Sequence, residues 1–303
     1  MAAAALPHLL EEGGLRRALP ACGGPNPDYR IFSAALDPAR CYRLTGELRG
    51  SERVGLGIYR PDAAGAPILL DYTAFDAARC GPDGAFALEL GPEARGPEAM
   101  ALPPEARSLL IRVLHRDPRA APARLLLDGA PPPASASTPT GLPMGDGAAM
   151  LAGAARMFLA QVREYLGWVA AMAPARNALA LPPPELAEKV LGDADTQYFL
   201  GTFDLAPGEH LEIAMPRGIT GYWSVHACSH WLEHLRTPGA DDRRVRPDGD
   251  GRLRFVVGPD EVGGGAFRLD TAGRRRGALI GRVVGPAGTA PRLAPPEVML
   301  RRH

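Results

Sequence analysis

The chain has 303 residues, and its 34 Lys and Arg against 34 Asp and Glu leave it formally uncharged at pH 7. That balance lacks the concentrated basic surplus of a nucleic-acid partner. A hydrophobic content of 46% provides for a globular core.

All basic residues but Lys189 are arginine, which reflects compositional bias more than a binding device. The four cysteines, Cys22, Cys41, Cys80 and Cys228, form no C-x-x-C pair, so zinc-ribbon and thioredoxin-type sites are not expected and buried thiols in a reducing compartment are. The N-terminal "MAAAALPHLLEEGGLRR" has no charged segment before its apolar residues, and acids follow directly. It reads as a short helix within residues 1–20, not a signal peptide. No apolar run is long enough for a membrane span, so a cytoplasmic protein is expected.

From about Ile31 to Leu127 the signals are strand-like. "CYRLTGEL", "RVGLGIYR", "APILLDYTAF", "GAFALELG" and "SLLIRVLHRD" are short runs separated by Gly, Pro and Asp-Gly at the spacing of a sandwich or barrel. "RDPRAAPARLLLDGA" is expected to close this half with a turn and a short helical segment. The Pro- and Ser-rich "APPPASASTPTGLP", residues 130–143, reads as a linker. From Gly147 to Met172 apolar residues recur at helical spacing: Met150, Leu151, Ala154, Met157, Phe158, Val162, Leu166 and Val169. Pro174 ends that helix, and "PPPELAEKVLG" predicts another with proline at its start. Strands then return in "TQYFLGTFDL", "EHLEIAMP", "GYWSVHACS", "RLRFVVG" and "GALIGRVVG", with "PDGDG" as a tight turn. The fold class is mainly β with a helical segment. The expected domains are 1–129, a β-rich unit; 130–195, the linker and helical segment; and 196–303, a second β-sandwich.

The segments "YFLGTFDLAPGEHLEIAMP", "YWSVHACSHWLEHL", "PDGDGRLRFVVGPDEVG", "LDTAGRRRGALIGRVV" and "PRLAPPEVML" resemble, in order and spacing from about Tyr198 to Leu300, the bacterial domain-of-unknown-function 1214 family. "NPDYRIF", "CYRLTGEL" and "LLIRVLHRDP" resemble the region that precedes the domain in longer members. The resemblance implies two jelly-roll-like β-sandwich parts joined by helices, and no agreed activity. Phe267 and Arg268 stand where the family tends to have Asn-Trp, and Arg274 where a His commonly follows "LDTAG".

The candidate chemistry centres on "YWSVHACSHWLEHL" with His226, His230 and His234. On one helix the outer two would lie roughly 12 Å apart, too far to share an ion whose ligand bonds are about 2 Å long. On a strand His226 and His230 would lie roughly 13 Å apart, and a two-histidine site would need a sharp bend. No metal site is therefore expected. As a strand, the segment puts Trp223, Val225 and Ala227 on an apolar face and Ser224, His226 and Cys228 on a polar, uncharged one. Such a face suits a pocket wall, against the plainer readings of an exposed or structurally satisfied histidine. "WLEHLR" is expected to begin a helical turn that sets Glu233 beside His230, either as a surface pair or as an orienting carboxylate.

In "GGGAFRLDTAGRRRG", Gly263 to Gly265 loosen the backbone, and Asp270 and Thr271 before Gly273 predict a side-chain-capped turn. The functional alternative is an Arg268/Asp270 pair with Arg274 near a ligand. Asn26, Asp28 and Tyr29 in "PNPDYR" are turn residues or lie at a seam between domains. No G-x-S-x-G, H-E-x-x-H, kinase or phosphate-loop pattern is present.

Two readings follow. One is an enzyme without cofactor that acts by acid/base chemistry on a small hydrophobic molecule, by isomerisation, cyclisation, hydration or elimination. Its candidate catalytic residues are His226, His230 and Asp270, and its substrate contacts are Tyr222, Ser224, Cys228, Arg268 and Arg274. The other is a non-catalytic small-molecule-binding or assembly protein. The expected partner is a small hydrophobic molecule, with homo-oligomerisation left open.

Overall fold

In a computed structural model the described residues are 11–18, 23–63, 67–129, 144–184, 186–187, 193–261 and 265–302. The expected linker 130–143, the first ten residues, Cys22, Gly263 and Gly264 lie outside them. The chain divides into two compact units: residues 1–19 with 27–160, and residues 20–26 with 161–303. The second unit thus takes in a short N-terminal segment, and the helical segment is shared between the units, unlike the boundaries expected from composition.

The first unit is a two-sheet sandwich. Its strands are β1 (Glu11–Glu12), β2 (Leu15–Ala18), β3 (Tyr29–Ala35), β4 (Tyr42–Glu47), β5 (Arg53–Pro61), β6 (Pro67–Asp76), β7 (Ala85–Gly91), β8 (Ala99–Ala101), β9 (Ser108–Leu114) and β10 (Arg124–Asp128). One sheet has the order β1-β2-β3-β9-β5-β6 and the other β10-β4-β7-β8. Leu44, Leu88 and Leu127 of the second sheet meet Leu56, Leu109 and Ile111 of the first in one core.

Two expectations fail in this unit. "EEGGLRR" forms a hairpin, not a helix: Gly13 and Gly14 both take positive φ, the two-residue turn that matches strand twist. "RLLLD" pairs with β4 as a strand. Its three leucines hide a period of two, with Leu125 and Leu127 buried and Leu126 exposed.

Helix α1 spans Met144–Met172, three residues earlier than the apolar spacing predicts, and a short 3-10 turn at Ala173–Ala175 carries Pro174. The predicted stripe is not core along its whole length: Leu151, Phe158 and Leu166 are exposed, whereas Tyr165, Trp168, Val169 and Ala171 pack in the second unit. Pro184, Leu186 and Ala187 are helical, as predicted. No helix among the described residues is long and apolar enough to cross a membrane.

The second unit is also a two-sheet sandwich. It contains β11 (Thr196–Asp204), β12 (Glu209–Ala214), β13 (Trp223–Cys228), β14 (Ala240–Asp241), β15 (Arg254–Gly258), β16 (Phe267–Asp270), β17 (Arg276–Val284) and β18 (Glu297–Arg302). The sheets run β11-β17-β13-β14 and β16-β15-β12-β18. Phe199, Trp223, Val225 and Leu279 of one meet Leu211, Phe255 and Val257 of the other. The first sheet has a second covered face, where Tyr198, Leu200, Cys228 and Ile280 pack with Met172, Leu186, Leu232 and the C-terminal turns of α1. Burial on both faces explains why β13 is buried at every position and β17 at all but its first. Trp223 is 1% exposed at the centre of the inner core. Trp223→Ala should cost about 3–5 kcal/mol, read as a lower urea midpoint for the C-terminal unit followed by Trp168 and Trp231 fluorescence.

Candidate functional site

The outer face of the β11-β17-β13-β14 sheet collects most of the polar groups that the strand reading assigned to one side of "YWSVHACS". Residues opposite one another in adjacent strands share a face, so the register defines rows across it. One row runs Tyr198, Arg282, Ser224, Asp241 across all four strands, and the next runs Leu200, Ile280, His226. Ser224 is fully buried, His226 is 2% exposed and Arg282 8%.

Tyr222 enters this face from the residue before β13. Its hydroxyl donates to Ser224 Oγ at 2.9 Å and accepts from Asn26 Nδ2 at 2.7 Å. Gly24 lies over the same face: its N–H donates to Leu232 O at 2.9 Å, and its carbonyl accepts from Arg282 Nη2 at 2.5 Å. A Cβ on Gly24 would stand 2.1 Å from Ile280 Cδ1, and φ there is +69°, so this close covering requires glycine.

His226 and His234 come together. After β13 the chain reverses, with Ser229 N–H donating to Glu233 O and Cys228 bridging to His234. Leu232 and Arg236 take φ of +57° and +59°, conformations that no helix contains. The predicted helical turn at "WLEHLR" is therefore absent, and Glu233 forms no ion pair with His230 among the described residues. Instead the ring centroids of His226 and His234 lie 5.3 Å apart, nearly edge to face. Arg236 N–H donates to His234 Nδ1 at 3.0 Å, which leaves the proton on Nε2. Among the described residues His234 Nε2 and His226 Nδ1, both buried, have no hydrogen-bond partner. On its other side His226 is packed tightly: a Cβ on Gly239 would come within 2.5 Å of His226 Nε2.

Burial, followed by the positive charge of Arg282, pushes the pKa of His226 well below its usual 6.5. The same two causes, in the same order, lower that of His234. Both imidazoles are neutral near pH 7; His226 Nδ1 can donate or accept according to its tautomer, and His234 Nε2 can donate. No three His, Cys, Asp or Glu side chains converge as a metal set among the described residues.

The other sequence candidates fall elsewhere. Cys228 is fully buried on the same face as His226. His230 is exposed beside Trp231 and, with Arg274, Arg275 and Glu209, lines a groove of about 900 Å³. Arg268 and Asp270 form the expected pair at 3.4 Å, shared with Glu261. Asp270 also accepts from Ala272 N–H, and Thr271 Oγ1 donates to Arg274 O, which makes the capped turn predicted there. Asp270 and His230 are thus not partners of His226 in a compact acid/base set.

Arg282 escapes sequence reasoning, and so does the pairing of His234, one of the three histidines of the stretch, with His226. The signal for Arg282 is present: one arginine interrupts the otherwise apolar "GALIGRVVG". That pairing has none, because the reversal that returns His234 is made by Leu232 and not by glycine.

The depressed histidines fix the sign of acid sensitivity. Their neutral forms are favoured by folding, so that stability is complete above the unfolded pKa of 6.5 and falls as pH drops from 6.5 through the folded values. The melting temperature should decrease between pH 7.5 and 5.0, and His226→Phe should lessen that decrease; a variant with an unchanged pH slope contradicts the burial argument.

No family model matches the chain, and no curated protein does. Among solved structures, an uncharacterised protein from Burkholderia cenocepacia is similar over 98% of this chain and 84% of its own, with a TM-score of 0.77 and 24% identity. A Vibrio parahaemolyticus protein is similar over 99% of this chain and 94% of its own, with a TM-score of 0.53 and 11% identity. At these identities the likeness is one of fold: this arrangement of sheets and helix also occurs in bacterial proteins of both genera.

Proposed function

We propose that the C-terminal unit binds a small, largely hydrophobic molecule on the outer face of the β11-β17-β13-β14 sheet and moves a proton on it through His226. Isomerisation, cyclisation, hydration or elimination needs a neutral base or acid held out of water, and no cofactor. One observation carries the reading: His226 Nδ1 is buried and has no hydrogen-bond partner among the described residues, and its ring packs against that of His234, whose Nε2 is in the same state. Buried polar atoms are ordinarily satisfied, and exceptions concentrate where a ligand supplies the partner. Tyr222 and Ser224 form a hydroxyl pair suited to a substrate oxygen, and Leu200, Ile280 and Leu232 make the buried cluster beside it apolar. His234 replaces His230 and Asp270 as the second titratable group. The resemblance to the domain-of-unknown-function 1214 family and a cytoplasmic location, where Cys41, Cys80 and Cys228 remain thiols, belong to the same proposal.

A non-catalytic carrier is the second reading, favoured by the absence of any carboxylate hydrogen-bonded to either imidazole among the described residues. Two probes separate the readings: geraniol and the enone steroid androstenedione, each incubated with protein in D2O. The expected result is perturbed His226 imidazole NMR signals and deuterium incorporation into a probe, reduced by about 100-fold or more in His226→Gln. Perturbed signals without exchange indicate the carrier. Unperturbed signals with both probes overturn the binding reading for terpenoid and steroid classes.

A further inference from the structure

Arg282 is a buried cation without a counter-charge. It projects from the middle of an apolar strand, and its neighbours in the sheet are Tyr198 and Ser224. Its guanidinium lies over the Tyr198 ring at 5.5 Å, and Nη2 donates to Gly24 O. Nη1 is buried with no partner. No carboxylate among the described residues lies within ion-pair distance of it. Two other buried arginine side chains are treated differently: Arg116 has Glu52 at 2.5 Å, and Arg53 has Asp76 at 4.0 Å. Asp241, in the same row as Arg282, is already engaged by the Arg244 side chain and by the N–H groups of Arg243 and Arg244.

A second group shares this lack of an acceptor. His234, close enough for the charge of Arg282 to act on it, carries a proton on Nε2 that has no acceptor among the described residues. Taking an arginine from water into such surroundings costs several kcal/mol. One carbonyl and one aromatic ring offset only part of that cost. The face is therefore donor-rich, positively charged and short of exactly one kind of group: a small anion.

We propose that this face binds an anionic ligand, an organic acid whose carboxylate pairs with Arg282 and whose hydrocarbon part lies against Leu200, Ile280 and Leu232. The inference rests on the binding reading above and deepens it: the hydrophobic molecule carries a charge. His234 supplies a further donor to the carboxylate, and His226 stands beside the carbon chain.

The test is calorimetric titration of the full chain with sodium octanoate, 1-octanol and inorganic phosphate. Octanoate should bind about 10- to 100-fold more tightly than octanol, the contribution of a charge-assisted pair. Arg282→Met should erase that preference, and Arg282→Lys, which keeps the charge without the fork, should retain part of it. Without ligand, Arg282→Met should melt no lower than the parent, because an unpaired buried charge is removed. Phosphate binding that depends on Arg282 and exceeds that of octanoate assigns the anion site to an inorganic ion and overturns the organic-acid proposal. Equal binding of octanol and octanoate overturns it too, but leaves the small-molecule reading standing. A lower melting temperature for Arg282→Met together with no octanoate preference in the parent makes Arg282 a purely structural tie to Gly24 and overturns the anion site.

Discussion

Ser224, His226 and Arg282 project from strands whose two faces are both covered, so bulk water is not available to satisfy them. This constraint governs the C-terminal unit. An antiparallel sheet commonly keeps one face wet and places its polar residues there. Here the inner face is closed by the opposing sheet, and the outer face by the end of α1, by Leu186 and Leu232, and by Gly24. Polar side chains on the outer face must therefore find one another or go without. Asn26, Tyr222 and Ser224 find one another in a chain of hydrogen bonds. Arg282 Nη1, His226 Nδ1, His234 Nε2 and Trp168 Nε1 go without.

The division is chemically uneven. The satisfied groups are hydroxyls and an amide, which both donate and accept. The unsatisfied ones are three fixed or tautomer-set donors and one imidazole nitrogen that can serve either way. The electrostatics follow from the same enclosure: a desolvated guanidinium near two desolvated imidazoles keeps both neutral. A permanent positive charge and two neutral proton-transfer groups then occupy one face, which suits a ligand that is negative at one end and reactive or merely apolar along the rest.

Much of the fold is legible in the sequence because alternation reports a sandwich core directly. Trp223, Val225 and Ala227 fall on the inner face and Ser224, His226 and Cys228 on the outer, as a period of two requires. The misses have local causes. Gly13-Gly14 terminates a helix and turns a hairpin equally well, and neighbouring strands decide between them. Edge strand β18 is exposed along almost its whole length, so it carries no apolar alternation to detect. β8 and β14 are three and two residues long, shorter than any periodicity. At the site, His230 and Asp270 stand beside His226 as catalytic candidates in the sequence reading. The reversal at Leu232 turns His230 outward and brings His234 back instead.

The polar contacts of Gly24 and Asn26 join residues far apart in sequence. Asn26 and Tyr222 are 196 positions apart, and Gly24 and Arg282 are 258. A chain emerging from the ribosome presents Gly24 long before Arg282 exists, so this contact can close only after the strand that bears Arg282 has been translated. Separations of this size belong to slow steps in folding. The tie between Gly24 and Arg282 thus belongs to the late, long-range part of this unit's assembly.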